Sequence, residues 1–380
     1  MPPRVSLGDL ARYFLRLGAL GFGGPIALAA TMQRDLVEAR GWISQDEYLE
    51  GLAASQTLPG PLAAQLAMWL GYVRRGTAGA LVSAIAFVAP PFVLVTIVAA
   101  AYVAFSGSGA VQALFYGIGP AVIALIVRGA WKLVRVTVRS DRRLLVIFAA
   151  VAVITFALRA EIALLFVLAG VVGIALYAPR AARSPRAPAI VATLAALPVP
   201  AIATSTLVAL GLFFFEAGAF TFGSGLAIVP FLQSGVVRDH QWLTERQFLD
   251  AVAIGMITPG PVVITAVFVG FLVAGLTGAL VAGTAIFFPP LLMVVVLAPW
   301  ITRYRRHPAV QGFTRGATAA AAGAIVGAAA IIATQVLVDV PTVAIAIVAF
   351  VVLWRTKVPE PAVVAVAAVV GLAVGALRGV

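Results

Sequence analysis

The triplet Pro-Gly-Pro occurs twice in this chain, and the two occurrences lie 200 positions apart (260 − 60 = 200). The surrounding residues match at the same spacing without a gap, and they include a pair of tryptophans that rarely coincide by chance. The matched pairs are Gly18 and Gly218, Phe22 and Phe222, Gly23 and Gly223, Gln33 and Gln233, Trp42 and Trp242, Leu49 and Leu249, Pro59 and Pro259, Gly60 and Gly260, and Pro61 and Pro261. Further along, the spacing becomes 199 (289 − 90 = 199), which places Pro90-Pro91 on Pro289-Pro290. The sequence therefore predicts two copies of one unit.

The composition excludes a soluble protein. Hydrophobic residues make up 62% of the chain and charged residues 11%, whereas soluble domains are about half apolar and about a quarter charged. Apolar windows of roughly 20 residues, the length that spans a bilayer, recur from end to end. We therefore expect an all-α polytopic membrane protein, with the lipid bilayer as one partner. The net charge of +12 lies mostly in short loops beside these windows, where it sets orientation and meets anionic headgroups, so no nucleic acid partner is expected.

The loops indicate that the two copies are inverted in the membrane, because Lys and Arg in short loops favour the cytoplasm. The loop at 132–143 is strongly basic, and its counterpart near 335–340 has no positive charge. Conversely, the loop at 303–306 is basic and its counterpart near 106–109 is neutral. Because the loops that are basic in one copy are neutral in the other, the two copies are expected to have opposite orientations in the membrane.

The predicted trace has about thirteen membrane segments, with the N-terminus in the cytoplasm and the C-terminus outside. Its spans lie near 9–31, 50–73, 77–105, 110–131, 144–158, 161–178, 205–233, 250–273, 276–300, 310–335, 340–354 and 360–378. The first repeat covers 1–186, a connecting membrane segment covers 187–204, and the second, inverted repeat covers 205–380. Alternatively, the first two segments of each copy are re-entrant hairpins, which lowers the count and preserves the inversion.

Four interruptions divide the predicted helices. We call Gly21–Pro25 the first break, Pro59–Pro61 the first elbow, Thr221–Gly225 the second break and Pro259–Pro261 the second elbow. Prolines remove backbone donors and glycine lets the chain turn, so helical hydrogen bonding lapses there. Unpaired peptide groups at membrane depth persist only where they are buried in protein or line a cavity. Capping boxes at Ser44 and Thr244 are predicted to start the helices that lead into the elbows.

Helices that begin after these interruptions direct free N–H groups and a positive dipole end into the gap, which suits an anion. Discontinuous helices in inverted repeats are a recurrent design of secondary transporters. The candidate substrate-binding residues are Gly21, Phe22, Gly23, Gly24, Pro25, Gln56, Thr57, Pro59, Gly60, Pro61, Thr221, Gly223, Ser224, Gly225, Thr258, Pro259, Gly260 and Pro261. Gln65 and Thr265 are further nearby donors. The alternatives are local backbone capping for each hydroxyl and close helix packing for the glycines.

Charges at membrane depth are few, and two of them occupy equivalent positions (216 − 16 = 200). Arg16 is a candidate for attracting a dianion, and Glu216 is a candidate for carrying a coupling proton. The alternative is that Arg12 and Arg16 extend to the inner headgroups while Glu216 lies at the outer interface.

The order of FGGP, PGP and PP, followed by a divergent copy with FTFGSG and TPGP, resembles the two-domain form of the chromate ion transporter (CHR) family over nearly the whole chain. The resemblance implies export of chromate across the bacterial inner (plasma) membrane, driven by the proton-motive force and conferring chromate resistance. Sulfate, a tetrahedral dianion of similar shape, is the alternative substrate. The second copy has Ser224-Gly225 where the first has Gly24-Pro25, which argues against equal roles for the copies.

Other classes of function fit the sequence less well. An anion channel is the nearest rival, because the same elements could line a pore. An enzyme is not expected, since the chain has no cysteine and only two histidines, and no cofactor or metal is expected either. The GxxxxGK[ST] loop of ATP-driven transport is missing. A coupling proton and a homodimer are the remaining possible partners.

Overall fold

The computed structural model describes residues 5–22, 24–105, 107–138, 141–158, 163–178, 205–221, 228–297, 307–356 and 358–378. Every regular element in these ranges is helical. The first copy contains α1 (Leu7–Leu20), α2 (Gly24–Met32), α3 (Gln45–Thr57), α4 (Leu62–Phe105), α5 (Gly109–Thr137), α6 (Arg142–Leu158) and α7 (Ala163–Tyr177). The second contains α8 (Thr206–Phe220), α9 (Ile228–Gln233), α10 (Glu245–Ile257), α11 (Thr265–Leu292), α12 (Pro308–Val336), α13 (Val340–Arg355) and α14 (Glu360–Arg378).

Within the described ranges, the two copies therefore show the same succession of seven helices, and their irregular turns recur as well. A π-helical turn follows α2 at Gln33–Ala39 and α9 at Ser234–Asp239. The predicted capping boxes are confirmed: the side chains of Ser44 and Thr244 each accept a hydrogen bond from the N3 amide of their helix. The helices that lead into both elbows thus begin at equivalent residues.

The first elbow lies at the tip of a helical hairpin. The guanidinium of Arg74 forms an ion pair with Glu47 at the start of α3, and Arg75 donates to the carbonyl of Val5, before α1, at 2.6 Å. At Arg75 and Gly76, α4 bends sharply between two helical arms. The starts of α1 and α3 and the end of the first α4 arm therefore lie together, on the side opposite the elbow. This geometry favours the re-entrant alternative, and the count of about thirteen segments stays a prediction.

The proline pairs lie inside continuous helices, at Pro90-Pro91 in α4 and Pro289-Pro290 in α11. Proline cannot donate to the carbonyl four residues earlier, so Pro91 leaves the carbonyl of Phe87 without its helical partner. Gly18 of α1 packs on that carbonyl so closely that any Cβ there would collide with it. Gly218 of α8 lies in the same way on the carbonyl of Ile286, four residues before Pro290.

The second half of each copy packs against the other copy. α5 contacts α13 and α14, whereas α12 contacts α6 and α7. In addition, α4 packs against α11 and α5 against α12. One continuous apolar core therefore contains side chains of both copies.

The equivalent helices α5 and α12 run in opposite directions. Val336, at the end of α12, lies beside Gly119, near the start of α5. Arg315, near the start of α12, lies 5.3 Å from the ring centroid of Tyr177, and the Tyr177 hydroxyl donates to Asp141, just past the end of α5. The inversion predicted from the loop charges agrees with this arrangement.

Five helical stretches among the described residues are long and apolar enough to cross a membrane. They are Leu62–Phe105, Gly109–Lys132, Val262–Val296, Pro308–Val336 and Glu360–Arg378. The chain is thus an all-α multi-pass membrane protein built from two repeats. The connecting segment 187–204 lies outside the described residues, and the repeat boundaries at 186 and 205 stay predictions.

Candidate functional site

The first elbow is joined to the second copy through its backbone. The peptide N–H of Gly60 donates a hydrogen bond to the carbonyl of Thr221, at the start of the second break. Gly60 has φ of +140°, a conformation that side chains with a Cβ rarely adopt. Both Gly60 and Pro61 are buried. A turn that only glycine readily makes therefore places the first elbow against the second break.

The second elbow makes the reciprocal contact. The N–H of Gly260 donates to the carbonyl of Gly21, in the first break, at 3.0 Å. Gly260 has φ of +96°, and a Cβ there would lie 3.0 Å from Cγ of Pro91. Each elbow thus meets the break of the other copy, which brings Gly21, Pro59–Pro61, Thr221 and Pro259–Pro261 into two equivalent junctions.

The helix start at the first junction presents backbone donors. The first N–H groups of an α-helix have no acceptor within it, and those of Leu62, Ala63 and Ala64 have no hydrogen-bond partner among the described residues. All three residues are buried. On the other side, a short 3₁₀ turn at Val262–Ile264 precedes α11. These donors and the positive end of the helix dipole can hold an anion by charge-assisted hydrogen bonds.

The side chain of Gln65 closes over the first elbow. Its Nε2 donates to the carbonyl of Pro59 at 2.7 Å, and the residue is fully buried at 0% exposure. Its Oε1 is buried without a hydrogen-bond partner. A buried polar atom left in this state calls for an explanation, such as water or a ligand that donates to it.

The threonine hydroxyls at the junctions donate to their own helices. Thr221 bonds the carbonyl of Ala217 at 2.7 Å, Thr258 that of Ile254 at 2.6 Å, and Thr265 that of Val262 at 2.9 Å. The alternative of local backbone capping therefore describes all three. Backbone N–H groups, rather than these hydroxyls, are the available donors.

The remaining candidates are distributed around the junctions. Gln56 is exposed on α3, and Phe22 is 46% exposed. Gly24 and Pro25 begin α2. Gly23, Gly223, Ser224 and Gly225 lie outside the described residues, and the side chain of Thr57 is not described either.

Arg16 and Glu216 are exposed on α1 and α8. Neither residue forms an ion pair within the described part of the chain. Their predicted electrostatic and coupling roles therefore stay predictions. The exposed Arg16 is compatible with the alternative in which its side chain extends to the headgroups.

Sequence reasoning missed a buried carboxylate, Asp250, which lies on α10 and is only 5% exposed. The Tyr102 hydroxyl donates to its Oδ2 at 2.7 Å. The available signal was an acidic residue one and a half turns into a capped helix whose next seven residues are apolar or glycine. Among the described residues, no group of three or more His, Asp or Glu side chains suits a metal ion.

Comparison with known proteins identifies relatives across almost the full length. The family model described as "Chromate transporter" matches residues 8–174 and 208–372. A chromate transport protein of Cupriavidus metallidurans is 48% identical over 379 residues, covering 97% of this chain and 94% of that protein. A probable chromate transport protein of Synechococcus elongatus is 46% identical over 380 residues, covering 97% and 96%. A chromate transport protein of Pseudomonas aeruginosa is 30% identical over 400 residues, covering 98% and 93%. No solved structure matches.

Proposed function

Because the chain belongs to the chromate transporter family, we propose that it is a secondary transporter that exports chromate across the inner membrane of a bacterium. The structural observation that carries this proposal is the pair of reciprocal bonds from Gly60 to Thr221 and from Gly260 to Gly21. They join broken helices of two inverted copies, and inverted repeats of this kind place substrate sites near the bilayer midplane.

Chromate binds, in this proposal, at the start of α4. The N–H groups of Leu62, Ala63 and Ala64 donate to the oxygens of the dianion, and the helix dipole offsets part of its charge. The buried Oε1 of Gln65 lies beside the elbow without a partner and accepts from a water molecule that accompanies the anion. Sulfate has the same charge and shape, so it competes for the same donors.

The two junctions supply a route for alternating access. Each junction is a contact between the copies, and rocking of inverted repeats against each other is the usual way in which such transporters expose one site to two sides. Opening one junction while the other stays closed exposes the anion to one side at a time. A channel would need both open together.

Chromate uptake into everted membrane vesicles tests the proposal, because everted vesicles turn export into uptake. We expect saturable uptake above that of vesicles without the protein, accelerated by unlabelled chromate on the far side and reduced by excess sulfate. Absence of uptake contradicts chromate transport. Single-channel currents without counterflow would favour a channel.

The proposed orientation has the N-terminus in the cytoplasm and the C-terminus outside. The chain contains no cysteine, so single cysteines can be introduced without a background. A cysteine at Gly107 should be labelled from outside in intact cells, and a cysteine at Ser6 only after the membrane is opened. The opposite pattern would reverse the orientation.

The proposed homodimer can be tested by the mass of the purified protein.

A further inference from the structure

A polar pocket of about 250 Å³ lies between the two copies, away from both junctions. It is enclosed by the end of α4, the start of α5 and the first turns of α10. The lining includes Tyr102, Gln112, Thr244, Arg246 and Asp250. The pocket lies at the start of α5, whereas the basic loop 132–143 lies at its end. Because the loop charges predict that the basic loop is cytoplasmic, the pocket is predicted to face the outside.

Asp250 is the buried member of this lining, whereas Gln112, Thr244 and Arg246 are exposed. Its Oδ2 accepts from Tyr102. No other hydrogen bond or ion pair to Asp250 is present among the described residues. Its carboxylate thus lies at the inner end of a pocket whose outer residues contact solvent.

The nearest cation does not pair with this carboxylate. Arg246, one helical turn before Asp250, donates to the carbonyl of Gln112 at 3.3 Å, and no Arg246–Asp250 ion pair lies within 4 Å. The charged and titratable groups that act on Asp250 are Tyr102 from α4 and Arg246 from its own helix. A carboxylate removed from water without an ion pair favours its neutral form. Asp250 is thus suited to bind and release a proton.

Asp250 and the second elbow lie on the same stretch of chain. Asp250 lies on α10, whose last residue, Ile257, directly precedes Thr258 and the second elbow. A rise of about 1.5 Å per residue puts the elbow roughly 12 Å further along the same helix. A negative charge here repels a dianion at the junctions, and protonation removes that repulsion.

We propose that Asp250 is the proton-binding site that couples chromate movement to the pH gradient, with Tyr102 as its positioning residue; this inference rests on the proposed function. The carboxylate takes one proton as chromate binds on one side of the membrane and returns one proton to water as chromate leaves on the other side, so that the proton and the dianion move together in each cycle. This role belongs to a residue that forms part of a cavity, unlike Glu216, which is exposed on α8.

The experiment compares wild type with Asp250→Asn in everted vesicles, using two assays. Because protonation favours anion binding, an acidic medium outside the vesicles drives chromate accumulation in the lumen by about tenfold per coupled proton for each pH unit in the wild type. We expect Asp250→Asn to lose this response and to keep chromate counterflow at equal pH. Two controls, Asp239→Asn at the exposed end of the second π-helical turn and Glu216→Gln, should keep the response. An unchanged response in Asp250→Asn, or its loss in Glu216→Gln alone, would overturn the assignment.

Two further measurements separate this inference from other failures. If wild type moves no chromate, the proposed function fails. The assignment of Asp250 can still be tested by infrared spectra of the purified protein. We expect a protonated carboxyl band in the wild type that is absent from Asp250→Asn. Persistence of the whole band in the variant would overturn the assignment. If Asp250→Asn does not fold, Asp250→Glu and Tyr102→Phe should each shift the pH profile of uptake at unchanged protein level, and unshifted profiles would contradict it.

Discussion

The two elbows consist of the same three residues, but different side chains close around them. At the first, the buried amide of Gln65 caps the Pro59 carbonyl and leaves Oε1 without a partner. At the second, the equivalent residue is Thr265 (265 − 65 = 200), whose hydroxyl is satisfied by its own helix. Gly260 packs instead against the ring of Pro91, from the other copy.

The two copies thus share the backbone turn of the elbow and differ in the polar side chain beside it. Both elbows retain the glycine turn and the bond to the opposite break, which are the features that hold the copies together. Among the described residues, only the first elbow keeps a buried polar side-chain atom without a partner. Such atoms carry a cost that is tolerated where water or a ligand satisfies them. We infer that the first elbow dominates anion binding and that the second mainly positions it.

The largest effect is expected from Gly60→Ala. A Cβ at Gly60 would lie 2.5 Å from Cδ of Gln65, and the φ of +140° disfavours any residue with a Cβ. Strain and overlap together cost about 3 kcal/mol, which corresponds to roughly a hundredfold loss of uptake. Chromate uptake, normalised to protein in the vesicles, measures this.

The matched control is Gly76→Ala. Gly76 also has positive φ, +56°, but a Cβ there meets nothing within 4 Å. Gly76→Ala should lower chromate uptake by no more than about fivefold, because only the backbone penalty of roughly 1 kcal/mol applies. Equal losses in the two variants would mean that elbow packing is irrelevant.

Gly260→Ala should have a smaller effect than Gly60→Ala. Its Cβ would meet Cγ of Pro91 at 3.0 Å, a contact that a shift of a few tenths of an ångström relieves. We expect about a tenfold loss of uptake, because backbone strain at φ of +96° remains. A loss as large as that of Gly60→Ala would show that the elbows contribute equally.

Gln65 and Thr265 test the chemistry without changing the turn. Gln65→Leu removes the cap of the Pro59 carbonyl and the free Oε1, and we expect about a tenfold rise in the chromate concentration for half-maximal uptake. Thr265→Val removes only a locally satisfied hydroxyl, so it should change this concentration by less than about threefold. The reverse order would assign the anion to the second elbow.

The smallest effect concerns a contact far from both elbows. The pKa of Asp339 lies well below its ordinary value because Tyr116 and the Thr342 amide donate to the carboxylate, and Arg378 adds a further bond. A depressed pKa gives stabilisation that is present at neutral pH and is lost as the pH falls below the usual carboxyl range. Asp339→Ala should lower the melting temperature by at most a few degrees and leave uptake unchanged. Loss of uptake would contradict this.

The duplication, the inversion and the positions of the elbows could be predicted from the sequence, because Pro-Gly-Pro and capped helix starts act locally. The contacts between each elbow and the break of the other copy could not be predicted. They join residues that are some 160 to 240 positions apart in the chain (221 − 60 = 161; 260 − 21 = 239). Loop charges indicated the inversion but carry no information on which helices pack together.

The proline pairs and Asp250 show the limits of local patterns. Two consecutive prolines show where α4 loses helical hydrogen bonds, but they do not show that Gly18 of α1 packs on the freed carbonyl of Phe87. Asp250 belongs to no recognisable motif in the sequence. Only the packing of α4 and α5 against α10 encloses it.

The most direct test is the position of chromium in crystals or membrane crystals soaked with chromate, read from anomalous scattering at the chromium edge. The account predicts a peak about 4 Å from the backbone nitrogens of Leu62 to Ala64, beside the first elbow, and its loss in Gly60→Ala. A peak confined to the pocket near Arg246, or one at the elbow that survives Gly60→Ala unchanged, would contradict it.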